Sequence, residues 1–65
     1  GLSLVTRREM EVLSLIARGA TNSEIAAEMV IAETTVKTHV SSLMSKLAAR
    51  DRVALVLVAQ RAGIA

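Results

Sequence analysis

Neither a cysteine nor an aromatic side chain occurs among the 65 residues, and this pair of absences limits the fold more than any other feature of the chain. A domain so short buries too small a fraction of its surface to be more than marginally stable without a metal, a disulfide or a partner. With no cysteine and one histidine, a disulfide framework and a zinc cluster both drop out. A second copy of the chain is then the remaining outside support. The lack of proline and aromatic residues, against 52% apolar content, favours helices packed through Leu, Ile, Val, Met and Ala over a sheet. The expected fold is all-α, in one domain over residues 1–65.

Local signals divide that domain into four helices. Val5-Thr6-Arg7-Arg8-Glu9-Met10 fits a capping box between Thr6 and Glu9, with Val5 and Met10 spaced as a hydrophobic staple. It predicts a helix over 7–18 that buries Val12, Leu13, Ile16 and Ala17, with Gly19 as its left-handed stop. Thr21 and Glu24 repeat the box and open a short helix over 22–29, with Ile25, Ala26 and Met29 inward. Val30-Ile31-Ala32 contains no glycine or proline. A break is nevertheless expected there, because a single helix over 22–46 would rotate Ile25 and Met29 out of line with Val36 and Val40. A third helix over 33–47 buries Val36, Val40, Leu43, Met44 and Leu47. Asp51 caps a fourth over 52–62, with Gly63 just beyond.

Two of these helices carry unusual faces. Opposite its apolar stripe, the third presents Thr34, Thr38, Ser41 and Ser45, flanked by Lys37, a slim polar cylinder without the long Glu/Lys fringe of a merely solvated helix. The fourth buries Leu55, Val58, Ala59 and Ala62, yet Val53, Val56 and Leu57, with Gln60 beside them, form a second face that a 65-residue chain has no material to cover. A homodimer through that face is expected. Net charge is +2, but residues 1–32 carry three basic and four acidic groups, against five basic and two acidic in 33–65. The positive excess therefore shares the half of the chain that holds the slim helix.

A short helix, a tight break and a longer helix with a slim polar outer face form the helix-turn-helix pattern. Lys37 can donate to guanine O6 and N7, Thr38 can meet a thymine methyl, and free amides at helix N-termini can receive phosphate oxygens. Duplex DNA is the partner this chemistry suits, and few cations per copy favour two copies on a two-fold site. Catalysis is rejected: the chain has no cysteine, one histidine, no glycine-rich phosphate loop and too little volume to enclose a substrate. No cofactor or small-molecule ligand is expected. Glu9 and Glu24 read as capping groups, the three methionines as core fillers, and Arg7, Arg8, Arg18 and Arg61 as solvated. No apolar run approaches the roughly 20 residues of a membrane span, and no signal-peptide pattern opens the chain, so a cytoplasmic domain is expected. Gly1 in place of Met suggests sequence upstream. The rival reading is a helical interaction module whose apolar fourth helix is its whole function.

The segments Thr6-Arg7-Arg8-Glu9-Met10-Glu11-Val12-Leu13, Thr21-Asn22-Ser23-Glu24-Ile25-Ala26, Glu33-Thr34-Thr35-Val36-Lys37-Thr38-His39-Val40, Lys46-Leu47 and Arg50-Asp51-Arg52 closely resemble the LuxR-type (GerE-like) DNA-binding domain, in register from Val5 to Ile64. Sigma-factor region four is a nearer rival than an interaction module, but that pattern ends after its recognition helix. The resemblance implies base contacts from Lys37, Thr38 and Ser41. It implies phosphate contacts from Thr21, Asn22, Thr34, Thr35, His39 and Lys46, and a dimer interface of Val53, Val56, Leu57 and Gln60. It also implies a palindromic site, RNA polymerase as a further partner, and a place at the C-terminus of a response regulator or ligand-sensing activator. Two departures stand out. Arg7 occupies a position where the family often has proline, and Ala32 one where it often has serine, so the recognition helix lacks a side-chain cap worth about 1 kcal/mol.

Overall fold

Capping side chains set the helix starts in the computed structural model, which describes residues 2–64. Helices α1 (Arg7–Ala17), α2 (Asn22–Met29), α3 (Glu33–Lys46) and α4 (Arg52–Arg61) follow a 3-10 turn over Leu2–Leu4, which carried no sequence signal. Thr6 and Thr21 each close a full capping box with the glutamate three residues on, and Asp51 accepts from the Ala54 amide at 2.8 Å. Val5 and Met10 both pack against the core, as a staple requires. Every start agrees with the sequence reading, and three of the four ends fall one residue early, within the fraying of a helix terminus.

All four helices terminate by one device. After each, a residue with positive φ (Gly19 at 89°, Val30 at 56°, Ala48 at 54°, Gly63 at 74°) turns the chain. The amide of the next residue then reaches back to the helix: Ala20 to Leu15 O, Ile31 to Ala26 O, Ala49 to Met44 O and Ile64 to Ala59 O, at 2.8–3.1 Å. This is the Schellman arrangement, whose characteristic apolar contact is made by the residue after the turn. Ala20, Ile31, Ala49 and Ile64 all pack into or against the core. At Val30 and Ala48 the motif is built without glycine. Val30 is the costlier, since a β-branched residue is disfavoured at positive φ and its side chain, 89% exposed, recovers no burial in return.

The core joins Val12, Leu13 and Ile16 of α1, Ile25 of α2, Val36, Val40 and Leu43 of α3, and Leu55 and Ala59 of α4. α1 lies beneath both α3 and α4, while α2 packs chiefly on α3. Three expectations for α4 need correction; Val58, expected inward, is only half-buried and lies outside the core cluster. Ala62 follows the last helical residue and is exposed, and Ile64 packs against the core instead. Val56, expected on the far face, is half-buried against the core. One residue on from Leu55 lies about 100° round the helix, at the flank of the buried face and not behind it.

Glu9 is the one buried charged residue among the described residues, 5% exposed. Its Oε1 accepts from the Thr6 amide at 2.9 Å and from Lys46 Nζ at 2.7 Å, and its Oε2 from Ser42 Oγ at 2.5 Å. The capping carboxylate of α1 thus also grips two side chains one turn apart on α3, a role that its local spacing did not reveal. Hydrogen bonds from Lys46, Ser42 and the Thr6 backbone hold the Glu9 pKa down to about 2, against the opposing effect of burial.

Two outcomes are expected. Replacing Val30 by Gly should raise the unfolding free energy by about 0.5–1 kcal/mol, the relief of the left-handed strain less the extra chain entropy of glycine, read as a higher urea midpoint at unchanged m-value. Because folding lowers the Glu9 pKa from 4.5 to about 2, its contribution is complete above the unfolded value. It disappears as pH falls through 4.5 toward 2, a loss on the order of 3 kcal/mol. Glu9→Gln should flatten that part of the acid-unfolding profile followed by circular dichroism. An unchanged slope would remove Glu9 as its source.

Candidate nucleic-acid interface

With Val36, Val40 and Leu43 inward at helical spacing, the opposite side of α3 turns to solvent. Thr34, Thr35, Lys37, Thr38, Ser41 and Ser45 are all exposed there. No side chain but Lys37 extends beyond a hydroxyl group, so the helix stays narrow enough for a major groove about 12 Å wide. Lys37 makes no ion pair among the described residues. Thr38 Oγ1 donates to the Thr34 carbonyl at 3.1 Å. Its proton is thereby engaged, which leaves its methyl group and an acceptor oxygen to face outward. Ser41 stands one turn further along the same side.

The start of α3 is uncapped, since Ala32 makes no side-chain hydrogen bond to the first turn. The Thr35 and Val36 amides both turn to the Ala32 carbonyl, and those of Glu33 and Thr34 make no backbone hydrogen bond. Two amides next to two exposed threonines are thus open to an anion, although the Glu33 carboxylate shares that turn. At the start of α2 the Thr21 side chain serves the Glu24 amide at 3.1 Å, and the Asn22 and Ser23 amides remain open. Asn22 is half-buried, and its Oδ1 accepts from Arg52 Nη1 at 2.6 Å. The sequence reading gives Arg52 a place at the start of the fourth helix but no contact role. Its partner is 30 positions away, and no local pattern announces it.

The remaining expected contact residues are placed less uniformly. His39 is half-buried at the edge of the apolar stripe, beside the exposed face. Lys46, for which the resemblance implies a phosphate contact, has its ammonium bound to Glu9 at 2.7 Å and its side chain 29% exposed. A carboxylate brought by α1 neutralises it. On α4, Val53 (70% exposed), Leu57 (45%) and Gln60 do form an outward face, without Val56. None of the helices is long and apolar enough to cross a membrane, among the described residues.

The profile of the family described as bacterial regulatory proteins, luxR family, matches residues 3–59. An uncharacterized transcriptional regulatory protein of Bacillus subtilis, YhcZ, is 54% identical over 55 residues, covering 85% of this chain and 26% of its own. The response regulator protein VraR of Staphylococcus aureus is 52% identical over 56 residues, covering 86% of this chain and 27% of its own. The chain thus spans about a quarter of the length of the curated relatives it matches. With a helix-turn-helix whose second helix is narrow, polar and exposed, and a family match over residues 3–59, the chain belongs to the luxR family of bacterial regulatory proteins.

Proposed function

We propose that the chain binds duplex DNA sequence-specifically, with the first half of α3 in the major groove and a second copy joined through α4. The observation that carries this reading is the outer side of α3: exposed along its length, narrow, led by two open amides, and bearing in Lys37 a cation with no internal partner. Lys37, Thr38 and Ser41 read base edges, Lys37 by donating to guanine acceptors and Thr38 through its methyl group and acceptor oxygen. Thr21, Asn22, Thr34, Thr35 and His39 meet phosphates. Lys46, held by Glu9, adds at most its spare N–H donors. Val53, Leu57 and Gln60 form the dimer contact, with Val56 at its inner margin, and the matching site is a palindrome. The whole protein is a response regulator, by likeness to relatives carrying that description, and it acts in the cytoplasm with RNA polymerase, as the family resemblance implies.

The experiment is a selection of bound sequences from random duplexes, followed by affinity measurements on the selected site. Lys37→Ala should lose about 1–3 kcal/mol there and much less on unselected DNA. Equal losses on both would remove Lys37 from base reading. Leu57→Glu should abolish the two-copy complex by sedimentation while the helical circular dichroism spectrum persists, since Leu57 is 45% exposed. A melted chain would instead assign Leu57 to the core. Binding that is absent at low salt, or indifferent to salt, would favour the interaction-module reading.

A further inference from the structure

Arg52 is a half-buried cation with no counter-charge: none of the ion pairs among the described residues involves it. From the first position of α4 its guanidinium reaches the junction between α1 and α2. There Nη1 donates to Asn22 Oδ1 at 2.6 Å and Nη2 to the Ala20 carbonyl at 2.7 Å. A guanidinium offers donors only, in a rigid planar fork. The Asn22 amide must therefore turn its oxygen inward to Arg52, and its NH2 group is the end left over. No side-chain nitrogen among the described residues is both buried and unpartnered, and this NH2 has no hydrogen-bond partner, so it reaches solvent. It does so in the first turn of α2, where the Asn22 and Ser23 amides are open and the Glu24 carboxylate accepts from the Thr21 amide at 2.8 Å, with the guanidinium, which forms no ion pair among the described residues, behind it.

The geometry points to Arg52 as a positioning residue for DNA phosphate: it fixes the Asn22 side-chain amide donor-outward at the start of α2. This rests on the DNA-binding reading above, in which Asn22 meets a phosphate and Arg52 has no role. Without Arg52 the amide is free to present oxygen or nitrogen, and the oxygen repels a phosphate. The contact carries no base information, so Arg52 supports affinity for every sequence alike. It also ties that phosphate contact to α4, the helix assigned to pairing of two copies.

The test compares binding of a random-sequence duplex, followed by fluorescence anisotropy at about 50 mM salt, with melting of the same proteins. Asn22→Asp keeps an oxygen for Arg52, and as a carboxylate bonds it more strongly, but it replaces the outward NH2 by a second oxygen. N22D is expected to melt no lower than the unsubstituted chain and to bind DNA about tenfold more weakly or worse. Ser23→Asp adds the same charge at an exposed neighbour, and a merely structural role for the Arg52–Asn22 contact would leave the N22D loss no greater than that of S23D. Arg52→Lys retains the charge and loses the fork, with an expected loss of a few fold. That loss should vanish in the Asn22→Ala background, because Arg52 acts through Asn22. N22D binding as tightly as the unsubstituted chain, or an R52K loss that persists undiminished beside N22A, would overturn the inference alone. Failure of the unsubstituted chain to bind would overturn the DNA reading and the inference together.

Discussion

Apolar burial holds α3 against α1 but gives it no direction, and the Glu9 carboxylate supplies what burial lacks. Hydrophobic contact is proportional to area and tolerant of rotation, so the Val36–Val40–Leu43 stripe could settle on Val12, Leu13 and Ile16 at several angles. Hydrogen bonds are directional. Glu9 receives Ser42 and Lys46, side chains one turn apart on α3, and two such bonds fix both the rotation of the helix and its position along its axis. A buried ion pair adds little net stability over a well-packed apolar pair. Beside the stability that is lost when Glu9 is protonated, this one contributes orientation, and the solvent-facing side of α3 follows from it.

Three of the five basic residues of the second half of the chain are used in two different ways. Lys46 is spent internally on Glu9, and Arg52 on Asn22 and the Ala20 carbonyl. Lys37 makes no ion pair among the described residues and stands on the exposed face of α3. A net charge of +2 therefore understates how selectively the positive groups are used, because two of them secure the framework that displays the third.

What could be read from the sequence was what is local. Thr6 with Glu9, Thr21 with Glu24, and Asp51 each lie within three residues of the amide they serve, and the helix starts followed directly. Gly19 and Gly63 announced two ends. Val30 and Ala48 did not, because their side chains argue against the left-handed turn they adopt. The available signal lay one residue later, where Ile31 and Ala49 repeat the small or apolar residue that follows each glycine. The outer face of α3 was legible from periodicity, as was most of the second face of α4. Val56 was misassigned because an unbroken apolar run does not distinguish the flank of a helix from its back. Contacts spanning 30 to 37 residues, Arg52 to Asn22 and Lys46 to Glu9, leave no trace in local spacing, so both the fate of Lys46 and the role of Arg52 emerged from the coordinates alone.

Positions 9 and 30 face opposite kinds of constraint as a lineage diverges. At 30 the backbone angle is demanding while the side chain is exposed, so the penalty is set by backbone preference, least for glycine and most for β-branched residues, and hardly by side-chain chemistry. At 9 the side chain completes a cap, a hydroxyl contact and an ion pair at once. Shortening it to aspartate would forfeit all three, and no exchange at 42 or 46 alone would restore them. Residues 9, 42 and 46 are thus bound to drift as one unit, although the chain that joins them is more than half the domain.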